Sequence, residues 1–134
     1  MSNQVKDYIL ITGASGFIGS ALAKKLLTKG YCVLGLDNIN DYYNQNLKLK
    51  RLENIKYASI KSESNFSFYK ISLEDLNSLK GVFNKHHTKI VVNLAAQAGV
   101  EFSTEKPFEY IDSNIIGFMN VLECCKNYNI EHLV

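Results

Sequence analysis

A doubly wound α/β fold with a parallel sheet is predicted for this 134-residue chain, and three observations predict it. Short apolar runs alternate with amphipathic segments from one end of the sequence to the other. The first run enters the first such segment through a glycine-rich turn, Gly13-Ala14-Ser15-Gly16-Phe17-Ile18-Gly19. A carboxylate, Asp37, closes the second run. Strand, helix, strand succession of this kind implies right-handed crossovers, hence parallel strands covered on both faces.

The elements follow in order. Residues 8–12 are a nearly continuous apolar run, as a central parallel strand requires. Over residues 17–29, Ile18, Ala21, Leu22 and Leu26 recur at helical spacing, Lys24, Lys25 and Lys29 face outward, and Gly30 ends the helix. Residues 31–36 form a second strand ending at Asp37. Residues 38–64 are the least regular stretch; they are placed on the surface, with a short helix near 46–52 and a polar loop at 61–65.

Alternation over residues 66–71 gives a third strand, and residues 73–87 a helix with Leu76, Leu79, Val82 and Phe83 on one face. Residues 90–94 are a fourth strand. A loop over 95–106 leads to Pro107, the only proline, whose missing N–H costs nothing at the first position of a helix. That helix is expected to run to about Tyr128, with Ile111, Ile115, Phe118, Met119 and Leu122 as its buried side. Residues 132–134 open a fifth strand.

Composition narrows the function classes. With 46% hydrophobic and 21% charged residues the chain has enough apolar content for a single core, and it does not read as disordered. A net charge of +2 leaves no basic footprint for nucleic acid, so the aromatic alternation Phe66-Ser67-Phe68-Tyr69 reads as a strand and not as a base-stacking platform. Cys32, Cys124 and Cys125 show neither a disulfide framework nor a zinc spacing, and reduced thiols in a cytoplasmic protein are expected. His86 and His87 are adjacent at a helix end and point apart, so solvated residues are expected and no metal site. Residues 1–7 lack a signal-peptide core, and no uncharged run approaches the about 18 residues needed to cross a bilayer.

The glycine turn carries the first functional signal. A pyrophosphate needs a backbone it can approach closely and a helix N-terminus whose unpaired N–H groups face the anion. Gly13, Gly16 and Gly19 supply both between a strand and a helix. Asp37, roughly 20 residues on, stands where a carboxylate accepts the ribose hydroxyls of an adenosine. That carboxylate repels a 2′-phosphate and no arginine adjoins it in sequence, which favours NAD over NADP. Glycine triplets also occur in ordinary turns, and a solvated loop carboxylate is the competing reading of Asp37.

Thr12-Gly13-Ala14-Ser15-Gly16-Phe17-Ile18-Gly19 resembles the cofactor motif of extended short-chain dehydrogenases/reductases, the NAD-dependent epimerase/dehydratase family. The segments Leu36-Asp37-Asn38-Ile39-Asn40-Asp41-Tyr42-Tyr43, Leu47-Lys48-Leu49-Lys50-Arg51-Leu52, Asn93-Leu94-Ala95-Ala96-Gln97-Ala98-Gly99-Val100 and Tyr110-Ile111-Asp112-Ser113-Asn114-Ile115-Ile116-Gly117-Phe118 look most like UDP-glucuronate 4-epimerases. The resemblance covers nearly the whole chain. It implies a Rossmann-like NAD-binding domain over residues 1–134, incomplete at the start of the fifth strand, with the substrate domain absent.

The resemblance also implies roles. Gly13, Gly16, Phe17, Ile18 and Gly19 hold the pyrophosphate; Asp37, Asn38 and Asn40 hold the adenosine ribose and neighbouring phosphate; Lys48 reaches the same phosphates, with an exposed helix lysine as the alternative. Leu94, Ala95 and Ala96 line the cofactor's path, ordinary strand-end packing being the alternative. Asn114 supports the site from the long helix, or is a buried polar residue satisfied by backbone. Ser72 stands where the family places an acid for the adenine amino group, which shifts that contact toward the backbone of Leu73. Glu101 stands where these epimerases carry arginine, and a carboxylate there opposes a uronate's charge.

In this superfamily a Ser/Thr follows the fifth strand and a Tyr-x-x-x-Lys pair lies on the next helix, so that a phenol takes the sugar hydroxyl proton while hydride moves to nicotinamide. This chain ends inside that strand. Tyr43 with Lys48 has the wrong spacing, so no catalytic residue is named. The resemblance implies the NAD-binding portion of a UDP-sugar 4-epimerase: C4 oxidation, rotation of the 4-keto sugar, and re-reduction. The portion alone is expected to be inactive, and its parent a homodimer through the 107–128 helix. A non-catalytic NAD-sensing or partner-binding module, and a dehydratase or reductase of the same superfamily, remain the competing readings.

Overall fold

Alternation along the central strand places a core on each side of it. The computed structural model describes residues 6–134, so most of the stretch read for a leader lies outside the described residues. Tyr8–Thr12 (β1) sends Leu10 to one face and Ile9 and Ile11 to the other. Cys32–Asp37 (β2), Phe66–Lys70 (β3), Thr88–Asn93 (β4) and His132–Leu133 (β5) complete a parallel sheet in the order β3-β2-β1-β4-β5.

Phe17–Thr28 (α1) and Gln45–Lys61 (α2) cover one face. There Ala23, Leu27, Leu52 and Ile55 pack on Ile9, Ile11 and Val33. The other face is covered by Leu76–Lys85 (α3) and by a later helix that supplies Val121 and Cys124; Leu79, Val82 and Phe83 pack with them on Leu10, Leu34 and Val91. Each fully buried aliphatic side chain in these layers contributes about 1.5–3 kcal/mol. The expected doubly wound architecture is therefore present. Its strand order reverses between β1 and β4, which opens a crevice at their C-terminal ends.

Several expectations are corrected. Residues 38–64 are not mainly irregular surface: α2 has 17 residues, and Leu52 and Ile55 are buried against α1. The buried side of α1 is Gly19, Ser20, Ala23 and Leu27, whereas Ile18 is 64% exposed, because α1 rests on the sheet through its small residues. The loop at 95–106 contains a short helix, Val100–Glu105 (α4).

The long helix is three segments: Pro107–Ile111 (α5), a π-helical turn Asp112–Gly117, and Phe118–Asn127 (α6). Its inward positions are Gly117, Val121 and Cys124, while Ile111, Ile115, Phe118, Met119 and Leu122 are all at least 36% exposed. Gly117, Val121 and Cys124 stand four and three residues apart on one face, and the exposed apolar side chains lie on the other faces of the same helix. Among the described residues no helix is long and apolar enough to cross a membrane.

Candidate functional site

The turn after β1 is built by backbone. The Ala14 N–H donates to the Leu36 carbonyl at 3.0 Å and the Gly16 N–H to the Gly13 carbonyl at 2.9 Å. Gly13 has φ +66°, and a Cβ on it would sit 2.9 Å from the Ala95 nitrogen; a Cβ on Gly19 would overlap the Gly13 carbonyl oxygen. Helix α1 then begins at Phe17 with no side-chain cap and no acidic residue in its first turn. Its positive end and free N–H groups are left for an anion, which fits the diphosphate of a dinucleotide.

Thr12 ties the two strands at the crevice. Its hydroxyl donates to Asn93 Oδ1 at 2.7 Å and accepts the Leu94 and Ala95 N–H groups, each at 3.0 Å. The small side chains of Ala95 and Ala96 follow, and leave the crevice open above the glycine turn.

Asp37 is not a solvated loop carboxylate. Oδ2 accepts the Ser15 N–H at 3.1 Å and Oδ1 the Ile39 N–H at 2.9 Å. Nor is Lys48 an exposed helix lysine: it is 5% exposed, donates to Asn40 Oδ1 at 2.7 Å and lies 3.7 Å from Asp37 Oδ1. The Asn40 N–H in turn donates to Asn38 Oδ1 at 3.1 Å. The chain after β2 is thus stitched to α2 by side chains that share one charge pair.

These groups line one cleft of about 470 Å³. Of the residues singled out from sequence, Gly13, Gly16, Phe17, Ile18, Gly19, Asp37, Asn38, Asn40, Lys48, Ser72, Leu73, Leu94, Ala95 and Ala96 all face it. Asn114 does not. It sits in the π-helical turn and clamps the loop behind the cleft, accepting the Gln97 N–H at 2.8 Å and donating to the Gln97 carbonyl at 2.9 Å. The cleft also takes in Tyr42, Tyr43, Arg51, Glu74, Gln97 and Ser113, to which sequence reasoning assigned no role. The periodicity Lys48, Leu52, Ile55, Ser59 was the available signal for α2, and with it for Arg51.

Three side features are resolved. A Tyr-x-x-x-Lys spacing that sequence reasoning passed over does occur, Tyr57 to Lys61, but Tyr57 is 67% exposed and neither residue lines the cleft. His86 is half-buried, not solvated: its Nε2 is 2.6 Å from the Tyr69 hydroxyl and its ring meets Tyr8 edge-on. Cys124 is buried in the core, and that burial, then the neighbouring Cys125 thiol, pushes it up to about 11, away from reactive thiolate chemistry.

A family model described as GDP-mannose 4,6 dehydratase matches residues 10–134. The chain belongs to that family. Protein CapI of Staphylococcus aureus is 53% identical over 126 residues, which cover 94% of this chain and 36% of CapI. The UDP-glucuronate 4-epimerase of Thermodesulfobacterium geofontis is 45% identical over 127 residues, covering 95% of this chain and 38% of that enzyme. The crystal structure of UDP-glucose 4-epimerase from Bifidobacterium longum in complex with NAD+ and UDP superposes with a TM-score of 0.79 at 28% identity, over 94% of this chain and 35% of the other. The chain therefore spans little more than a third of the length of these GDP-mannose 4,6 dehydratase family relatives.

Proposed function

We propose that this chain is the NAD-binding domain of a nucleotide-sugar epimerase whose substrate is UDP-glucuronate. The observation that carries the reading is the meeting of the α1 N-terminus, the glycine turn and Asp37 in one cleft. The NAD-bound structure of the Bifidobacterium longum enzyme and the UDP-glucuronate 4-epimerase among the relatives support it.

In this reading Gly13, Gly16, Phe17, Ile18 and Gly19 hold the diphosphate against the N–H groups that open α1. Asp37, Asn38 and Asn40 hold the adenosine ribose, and Lys48 neutralises Asp37 while facing the phosphates. Ser72 and Leu73 border the adenine; Leu94, Ala95 and Ala96 leave room for the nicotinamide half; Asn114 positions the Gln97 loop behind them. When bound, the nicotinamide supplies hydride acceptance and return. Proton transfer at the sugar hydroxyl falls to groups outside these 134 residues, since none of the tyrosines lining the cleft stands at the family's spacing from a lysine. The exposed apolar side chains of Ile111, Ile115 and Met119 support a dimer formed through the helix at 107–128.

Calorimetry with NAD and an assay with UDP-glucuronate test this. Saturable NAD binding without turnover by residues 1–134 is expected, with C4 epimerisation by the whole protein. Absence of NAD binding overturns the cofactor assignment, epimerisation by these residues alone overturns the division of labour, and turnover of UDP-glucose in place of UDP-glucuronate overturns the substrate.

A further inference from the structure

A net charge of +2 conceals an uneven distribution. Residues 17–64 carry eight lysines and arginines against four aspartates and glutamates, so the remainder of the chain is net negative. Asp37, Asp41, Lys48 and Arg51 line the cleft or the cavity beside it. The other six cations are Lys24, Lys25 and Lys29 toward the end of α1 and Lys50, Lys56 and Lys61 along α2; all are exposed. None of the six is held in an ion pair among the described residues. Within this stretch Glu53 and Glu63, both exposed, are the remaining acids that oppose them.

Helix α2 presents apolar side chains outward among these lysines. Lys48, Leu52, Ile55 and Ser59 are its buried side. Leu49, Glu53, Tyr57 and Ile60, spaced four, four and three residues apart, form an outward stripe. At about 100° per residue, Lys50 and Lys61 flank the stripe on one side and Lys56 on the other. Leu49, Tyr57 and Ile60 are 48%, 67% and 77% exposed, and none of them lines the cleft or the cavity beside it. Glu53 follows Leu49 in the stripe, which leaves Tyr57 and Ile60 as its uninterrupted apolar part. The Ser64 hydroxyl donates to the Leu27 carbonyl at 2.8 Å, so the C-terminal ends of α1 and α2 meet, and Lys25 and Lys29 join Lys56 and Lys61 at that end of the layer. From Lys48, beside Asp37, to Lys61 the helix runs about 20 Å away from the cleft.

Protein partners are held by hot spots seated in pockets, and lysine is depleted from the cores of protein interfaces. Protruding apolar side chains ringed by lysines suit a lipid surface instead. The apolar tips enter the headgroup boundary, the lysine stems lie along it, and the ammonium groups meet anionic headgroups. We propose that the α1–α2 face is a peripheral docking surface for an anionic membrane, with Tyr57 and Ile60 as the inserting pair. The pair stands at the end of α2 away from Lys48 and Asp37, so docking there leaves the cleft open to solvent.

The test is co-sedimentation of the whole protein with vesicles of phosphatidylcholine alone and with vesicles containing about one-third phosphatidylglycerol, at low salt and at about 1 M salt. At low salt the anionic vesicles are expected to bind it at least about tenfold more tightly than the neutral ones, and high salt to abolish that preference. Lys25→Gln, Lys29→Gln and Lys61→Gln together should weaken binding by about tenfold or more, and Tyr57→Ser with Ile60→Ser by a similar factor. All five side chains are exposed, and far-ultraviolet circular dichroism checks that each variant is folded. Equal binding to both kinds of vesicle, or binding to neither, overturns the proposal, as does a lysine variant that binds like wild type. So does a Tyr57 and Ile60 variant that keeps wild-type binding while the lysine variant loses it, since a purely ionic face would fit an acidic protein.

Discussion

Lys48 Nζ lies 3.7 Å from Asp37 Oδ1, and both side chains are only 6% exposed. Such a pair is costly to break because the survivor keeps its charge out of water. Asp37 retains two backbone donors, from Ser15 and Ile39, which soften the loss without supplying a counter-charge. Lys48→Met is therefore expected to destabilise the fold by about 3 kcal/mol. Urea unfolding at low salt and at about 1 M salt checks it: the difference between wild type and variant should persist, since a buried pair is poorly screened. A difference that vanishes in salt would mean a surface pair.

Gly19 is the position at which α1 touches the turn that precedes it. Its missing Cβ makes room for the Gly13 carbonyl, which also accepts the Gly16 N–H at 2.9 Å. Gly19→Ala must push α1 away from the turn or twist that carbonyl, at a cost of about 1–3 kcal/mol in overpacking. The same displacement tilts the helix N-terminus off the diphosphate. Thermal melting and NAD titration together are expected to show both effects, with a loss in affinity of about tenfold or more. Wild-type affinity in the variant would detach the glycine from cofactor binding.

What the sequence made legible follows from how local the determining chemistry is. The glycine turn and Asp37 could be read because a close approach and a strand-end carboxylate are specified within a few residues. Arg51 could not, since its contact with Ser15 spans 36 residues and depends on a helix whose exposed face carries apolar Leu47, Leu49 and Ile60. That mixed pattern blurs the 3.6-residue period at α2. The outward turn of Ile115 and Met119 was illegible for another reason: the helix carries apolar residues on two faces, Val121 and Cys124 inward and Ile111, Ile115 and Met119 outward, and periodicity alone does not choose between them.

Asn114 reaches across to Gln97 with both ends of its amide, at 2.8 and 2.9 Å. Asn114→Ala leaves a backbone N–H and a carbonyl of the cleft-lining loop without these partners, which costs about 1–3 kcal/mol. Local opening is expected to dominate over global unfolding, because Gln97 belongs to neither core cluster. Amide hydrogen exchange at Gln97 should accelerate by roughly 5- to 150-fold. Unchanged exchange at Gln97 with a lowered global stability would assign Asn114 to the core instead.

His86 gives the fold a pH dependence of predictable sign. Burial first, and the neighbouring Lys85 charge second, hold its imidazole below the ordinary value of 6.5. Nε2 and the Tyr69 hydroxyl are 2.6 Å apart, and a protonated ring can only donate to that oxygen, which removes the arrangement in which the hydroxyl donates to the ring. The folded state therefore binds this proton less readily than the unfolded chain does. The stabilisation is complete above the unfolded value and is lost as pH falls from there through the folded one. Urea midpoints taken between about pH 5 and pH 8 should decline on the acid side in the wild type, and the decline should shrink in His86→Gln, which has no titratable ring. Parallel profiles for the two proteins would assign the acid sensitivity to groups other than His86.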